Sequence, residues 1–179
     1  MQKFKLPSQE TLRRRNSRFA KLSKPEQRVA ICKDMLKAIA SGLQIPLHND
    51  YQGGKLYKAA MKKAESVKTH QVIDQSLACT VECKCCQLGG MLLAAHRQGN
   101  GDPSWMGVVR EKLRKYWTER QLSMMERAFE GWSDPQVSVT YFAKNRGLSS
   151  PKNIQIAICK NVIRNKGTFV PSDMTGYKS

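Results

Sequence analysis

Four of the six cysteines in this 179-residue chain fall within eight positions: Cys79, Cys83, Cys85 and Cys86. Thiols at such density could hold a metal, exchange electrons or act as nucleophiles. Tetrahedral zinc makes the strictest demand, four ligands that commonly come as two separated C-x2-C pairs. Cys83-Lys84-Cys85-Cys86 supplies one pair, with Cys79 four residues upstream, and no second pair exists. If the stretch after Cys86 is helical, His96 lies about 15 Å away and cannot share an ion with it, so His70 or Cys79 would have to complete a set. The spacing therefore favours buried structural thiols and no cofactor. If zinc is held at all, Cys79, Cys83, Cys85 and Cys86 are its ligands. A helix starting at Cys86 would lower that thiol's pKa as in thioredoxin-like motifs, but the strand–helix alternation of that fold is missing.

Other catalytic chemistry has no anchor. The chain contains no G-x-S-x-G, H-E-x-x-H or Walker loop, and it lacks the H-x-E and P-C-x-x-C pattern of zinc deaminases. No catalytic residue is assigned, and the chain reads as a non-enzymatic binding protein.

Charge gives the better functional signal. Lys plus Arg number 31 and Asp plus Glu 14, a net charge of +17, which attracts polyanions, nucleic acid first among them. The candidate phosphate contacts are Arg13, Arg14, Arg15 and Arg18 near the start, Lys62 and Lys63 on a basic helix, and Arg114 and Lys115. Trp117, just beyond Arg114 and Lys115, could stack on a base. The chain opens without the apolar core of a signal peptide. Its longest uncharged apolar run, around Met91, is far short of the ~20 residues of a membrane helix. Both features point to a reducing cytoplasm and no membrane partner.

The elements that must position these residues are mostly helices. The expected organisation is a basic arm over 1–22, a helical domain over 23–171 and a flexible tail over 172–179. Ser8 can cap a short helix carrying Leu12 and Phe19, although arginine-rich arms often stay loose until they meet phosphates. Ser23-Lys-Pro-Glu26 is a capping box, opening a helix with Val29, Cys32, Met35, Leu36, Ile39 and Leu43 inward and Gly42 as its stop. Further helices are expected over 55–68, from the cysteine cluster through Leu88–Ala95, over 108–116, from the capping box Thr118–Gln121, and from Ser150-Pro151 to Asn165. VSVTYF at 137–142 alternates as a strand does.

Two segments repeat. VAICKDMLKAIASGLQIP at 29–46 and IAICKNVIRNKGTFVP at 156–171 share AICK, then Gly, two residues, an apolar residue and Pro. They predict two helix–Gly–extended units, with Leu43-Gln44-Ile45 pairing with Thr168-Phe169-Val170 so that each masks the other's edge. The expected fold is thus mainly α, with one short two-stranded β pairing.

Three stretches, RVAICKDML, CKCCQLGGMLLAAHR and the run from RQLSMMERAFEGW to AICKNVIRNKGTFVP, resemble a set of uncharacterised small proteins encoded by bacteriophages and some bacteria. The resemblance implies a phage context and action in host cytoplasm, but brings no assigned activity. Cys79, Cys85, Gln87 and the basic arm are particular to this chain. The expected function is a phage-type accessory protein that binds nucleic acid through a basic surface. The alternatives are a counter-defence protein that inhibits a host immune complex or sequesters an anionic nucleotide signal, and a thiol or zinc site at the cysteines.

Overall fold

The computed structural model of the chain describes residues 7–48, 75–99, 109–131 and 147–171. The helix expected over 55–68, the strand over 137–142 and the tail over 172–179 lie outside them. Among the described residues the chain is mainly helical with one two-stranded sheet.

Helix α1 spans Gln9–Ala20, and the Ser8 hydroxyl caps it by accepting from the Thr11 N–H at 3.2 Å. Helix α2 spans Lys24–Ala40. At its start Glu26 Oε2 accepts from both the backbone N–H (2.8 Å) and the hydroxyl (2.6 Å) of Ser23, within the predicted capping box. At its end Gly42 takes φ +77°, a left-handed turn that a residue with a Cβ resists. The chain then enters strand β1, Gln44–Pro46.

β1 pairs in parallel with β2, Cys83–Cys85, placing Gln44 opposite Cys83 and Pro46 opposite Cys85. The pairing differs from the one the repeat predicted. Residues 168–170 form no strand, because side chains take their backbone groups instead. The Gln121 amide accepts from the Phe169 N–H at 2.7 Å and donates to its carbonyl at 3.1 Å. The Asn161 amide does the same for Val170, at 2.9 and 2.7 Å. Two carboxamides thus replace a ladder, and β1 is left to pair with the cysteine segment. Gln121 consequently does not close the second predicted capping box, although Thr118 still accepts from the Gln121 N–H.

After the short helix α3, Gln75–Ala78, and β2, helix α4 spans Gln87–Arg97 with every residue buried. It lies among α2, α3, α5, α6 and both strands, the position expected of a helix apolar nearly all round. Gly90 allows this: a Cβ there would overlap Gln44 Nε2 and meet Met35 Cε at 3.0 Å. Helix α5 is Val109–Leu113, α6 is Glu119–Glu130 and α7 is Pro151–Arg164, capped by Ser150. Leu122, Met125, Ala128 and Phe129 of α6 point into the core as their spacing predicts.

The repeat is visible as packing. α2 and α7 lie against each other more extensively than any other pair of elements, and the two AICK cysteines meet: Cys32 is hydrogen-bonded to Cys159, which lies 3.8 Å from Met35 Sδ. With α7 on one side and α4 on another, α2 buries Ile31 and Ala38 as well as Cys32, Met35 and Ile39. Val29 and Leu36, expected in the core, are only half-buried.

Candidate functional site

The N-terminal segment predicted as an arm is, over residues 9–20, a helix laid on the body. Its anchor is Phe19, 2% exposed and in edge-to-face contact with Tyr116 at 6.1 Å. Polar contacts fix the rest. Arg15 donates to the Arg97 carbonyl at 3.1 Å and contacts Cys79 Sγ at 3.6 Å. Asn16 and Gln75 exchange hydrogen bonds at 3.2 and 2.8 Å, and Gln75 also donates to the Arg97 carbonyl at 3.0 Å. Arg15 is therefore a positioning residue, satisfying the open C-terminal end of α4.

Placed this way, α1 and α2 bound a groove of ≈ 920 Å³. Arg14, Arg15 and Arg18 line it from α1, Lys33 and Lys37 from α2, and Lys166 from just beyond α7. Its apolar lining is Phe19, Leu22, Val29, Ala30 and Ile163. Two acids also face it, and both are occupied: Glu26 by Ser23, and Asp34 by Arg97 and Gln98 at 2.6 and 3.0 Å. Arg14 pairs with Glu10 on the exposed face of α1, a contact of a kind worth little in water. Arg18, Lys33, Lys37 and Lys166 have no ion-pair partner among the described residues.

The predicted contacts thus divide. Arg14, Arg15 and Arg18 share the groove, while Arg13 is exposed on the same helix. Lys62 and Lys63 lie outside the described residues. Arg114 and Lys115 are exposed in the turn after α5, where Arg114 pairs with Glu119 at 2.9 Å. Trp117 is a correction. The turn carries its ring into the core, where it is 1% exposed and 5.9 Å from the Tyr116 ring, so no face remains for a base. Burying so large an apolar surface outweighs display of the ring. Sequence reading missed Lys33 and Lys37 as site residues, although their spacing puts them one turn apart on one face of α2.

The cysteines do not form one site. Strand alternation turns Cys83 and Cys85 inward, where they pack with Leu93 and Val81, while Lys84 points out. Cys86 belongs to the main core and caps α4, accepting from the Gly89 N–H at 3.5 Å. Burial pushes its thiol up to about 11, overriding the lowering by the backbone N–H groups of Gly89 and Leu88. The activation expected of a helix-start cysteine is reversed. The Cys85 thiol, hydrogen-bonded to the free thiol of Cys83 and shut from water, is held well above the ordinary thiol range. Cys79 is half-buried beside Arg15; burial raises its thiol while Arg15 and Arg97 oppose the shift. Among the described residues no three His, Cys, Asp or Glu side chains converge to hold a metal, and no helix is long and apolar enough to cross a membrane. No protein-family model, curated protein or solved structure matches the chain.

Proposed function

We propose that this protein is a non-enzymatic nucleic-acid-binding protein that engages phosphates through the basic surface built by α1 and α2. The observation that carries the proposal is the convergence of Arg14, Arg15, Arg18, Lys33, Lys37 and Lys166 on one groove, in a chain of net charge +17. Phosphate contact requires cations in a suitable concavity and little else. Six cationic side chains line the groove against two carboxylates, Glu26 and Asp34, so its field is positive. Apart from its charged side chains the lining offers only two polar side chains, Thr11, whose hydroxyl lies 2.9 Å from that of Ser8, and Gln98, which donates to Asp34. Binding with little sequence preference follows. With the resemblance to phage-encoded chains, the setting would be an infected host cytoplasm.

The test is retention of labelled DNA and RNA by the full chain across a salt series. Affinity should fall steeply as salt rises, because bound phosphates release their counterions. Replacing Arg14 and Arg18 with Ala should weaken binding about tenfold while leaving the fold intact. A flat salt response, or no retention at low salt, would show the charge serves another purpose. Sequestration of a small anionic nucleotide is a second reading, favoured by a groove volume of ≈ 920 Å³, within the usual range for ligand pockets. A nucleotide released on denaturing freshly purified protein would select it.

A further inference from the structure

We infer that the α1–α2 groove takes a single strand of nucleic acid, with phosphates on its cationic walls and sugars and bases against its apolar floor. The inference rests on the nucleic-acid reading above. A purely electrostatic phosphate site needs no apolar floor, yet Leu22, Val29, Ala30 and Ile163 line this one and are all only half-buried. In a duplex the base faces are hidden in the stack, so a duplex has nothing apolar to offer that floor. In a single strand those faces and the sugars are open, and covering them stabilises the complex whatever the sequence.

The shape agrees with this. The groove lies between two consecutive helices joined by the short turn at 21–23 and holds ≈ 920 Å³, the size of a small-ligand pocket. A duplex would rest on the rim without reaching the floor, whereas one strand can enter. The walls carry cations at regular intervals. Arg14 and Arg18 are four residues apart on α1, and Lys33 and Lys37 are four apart on α2, a rise of about 6 Å in each case. That interval is comparable to the separation of successive phosphates on an extended strand. Lys166 lines the same groove from beyond α7.

Fluorescence anisotropy of the full chain with a labelled oligothymidylate and with a duplex of equal length tests the inference, using inorganic polyphosphate as competitor. Oligothymidylate should bind at least tenfold more tightly than duplex and resist polyphosphate. The Lys33→Ala/Lys37→Ala variant, changed only at exposed positions, should lose about tenfold in affinity and show a log–log salt slope shallower by about 1.4. Val29→Ser should weaken oligothymidylate several-fold with the salt slope unchanged. Circular dichroism melts matching the parent chain keep these effects local. Duplex binding as tight as the single strand, equal competition by polyphosphate, or indifference to Lys33→Ala/Lys37→Ala would overturn the groove assignment while leaving nucleic-acid binding in place. Failure of both nucleic acids to bind at low salt would remove both proposals together.

Discussion

Arg97 Nε donates to Asp34 Oδ2 at 2.6 Å inside the fold, with the arginine side chain 4% exposed and the aspartate 14%. The pair ties the last residue of α4 to the middle of α2. Arg97 reaches Gln44 Oε1 at 3.3 Å as well, and Gln44 donates to Gln155 of α7 at 2.7 Å. One buried polar chain therefore joins α2, α4, β1 and α7. A guanidinium this deep is tolerable only with its carboxylate, since an uncompensated buried charge carries the whole desolvation cost.

Asp34→Ala should accordingly destabilise the protein by about 3–5 kcal/mol, read from urea unfolding midpoints. Adding Arg97→Leu should recover a large part of that loss, because it removes the orphaned charge. A single-variant loss under about 1 kcal/mol, the scale of an exposed pair, would show that water reaches Arg97.

The carboxamide clamps make a second prediction. Asn161→Ala leaves both backbone groups of the half-buried Val170 without their partner, at a cost toward or below the lower end of the about 1–3 kcal/mol of a fully buried orphan. Asn161→Asp is the sharper experiment: it keeps the acceptor for the Val170 N–H but sets a carboxylate against the Val170 carbonyl. Its thermal midpoint should lie below the parent's at neutral pH and recover as the pH falls and the new acid protonates. An Asn161→Asp midpoint equal to the parent's at neutral pH would mean that the segment does not depend on the clamp.

Alkaline pH should weaken the fold through a buried thiol. The Cys86 thiol has an ordinary value of 9.0 and is pushed up to about 11 by burial. Between these values the unfolded chain releases a proton that the native protein retains. The stability this confers is complete below pH 9 and is lost as pH rises toward 11, at up to about 1.4 kcal/mol per pH unit. Tyr116, pushed up to about 12 by burial, extends the decline to higher pH. Thermal melts should therefore fall through this window, and Cys86→Ala should flatten the fall by about one proton. An unchanged slope would show that water reaches the thiol.

Much of the fold is legible locally. Ser8, Ser23, Thr118 and Ser150 each mark a helix start, because an orphan backbone N–H there is met by a side chain a few residues away. Leu122, Met125, Ala128 and Phe129 are inward because one periodicity decides their face. Val29 lies on the predicted inward stripe yet is only half-buried, because the burial of α2 depends on which helices cover it, and those arrive from far along the chain. The identity of AICK at 30–33 and 157–160 foretold that the two units are related. It could not say that their helices would meet face to face while their extended pieces stayed apart.

The sequence by itself determined the helical class, the caps, the excess positive charge and the absence of a second C-x2-C pair, since each is a matter of residue type and short spacing. Only the tertiary structure decided that β1 pairs with Cys83–Cys85, that the four clustered cysteines part into different surroundings, and that Arg14, Arg15 and Arg18 face Lys33, Lys37 and Lys166 across a groove. The reason is physical. Caps and periodicity act within a turn or two of helix, whereas strand partners and charge convergence depend on which distant groups satisfy a given backbone. Here two carboxamides, Gln121 and Asn161, occupied the backbone of 169–170 and left β1 to the cysteine segment.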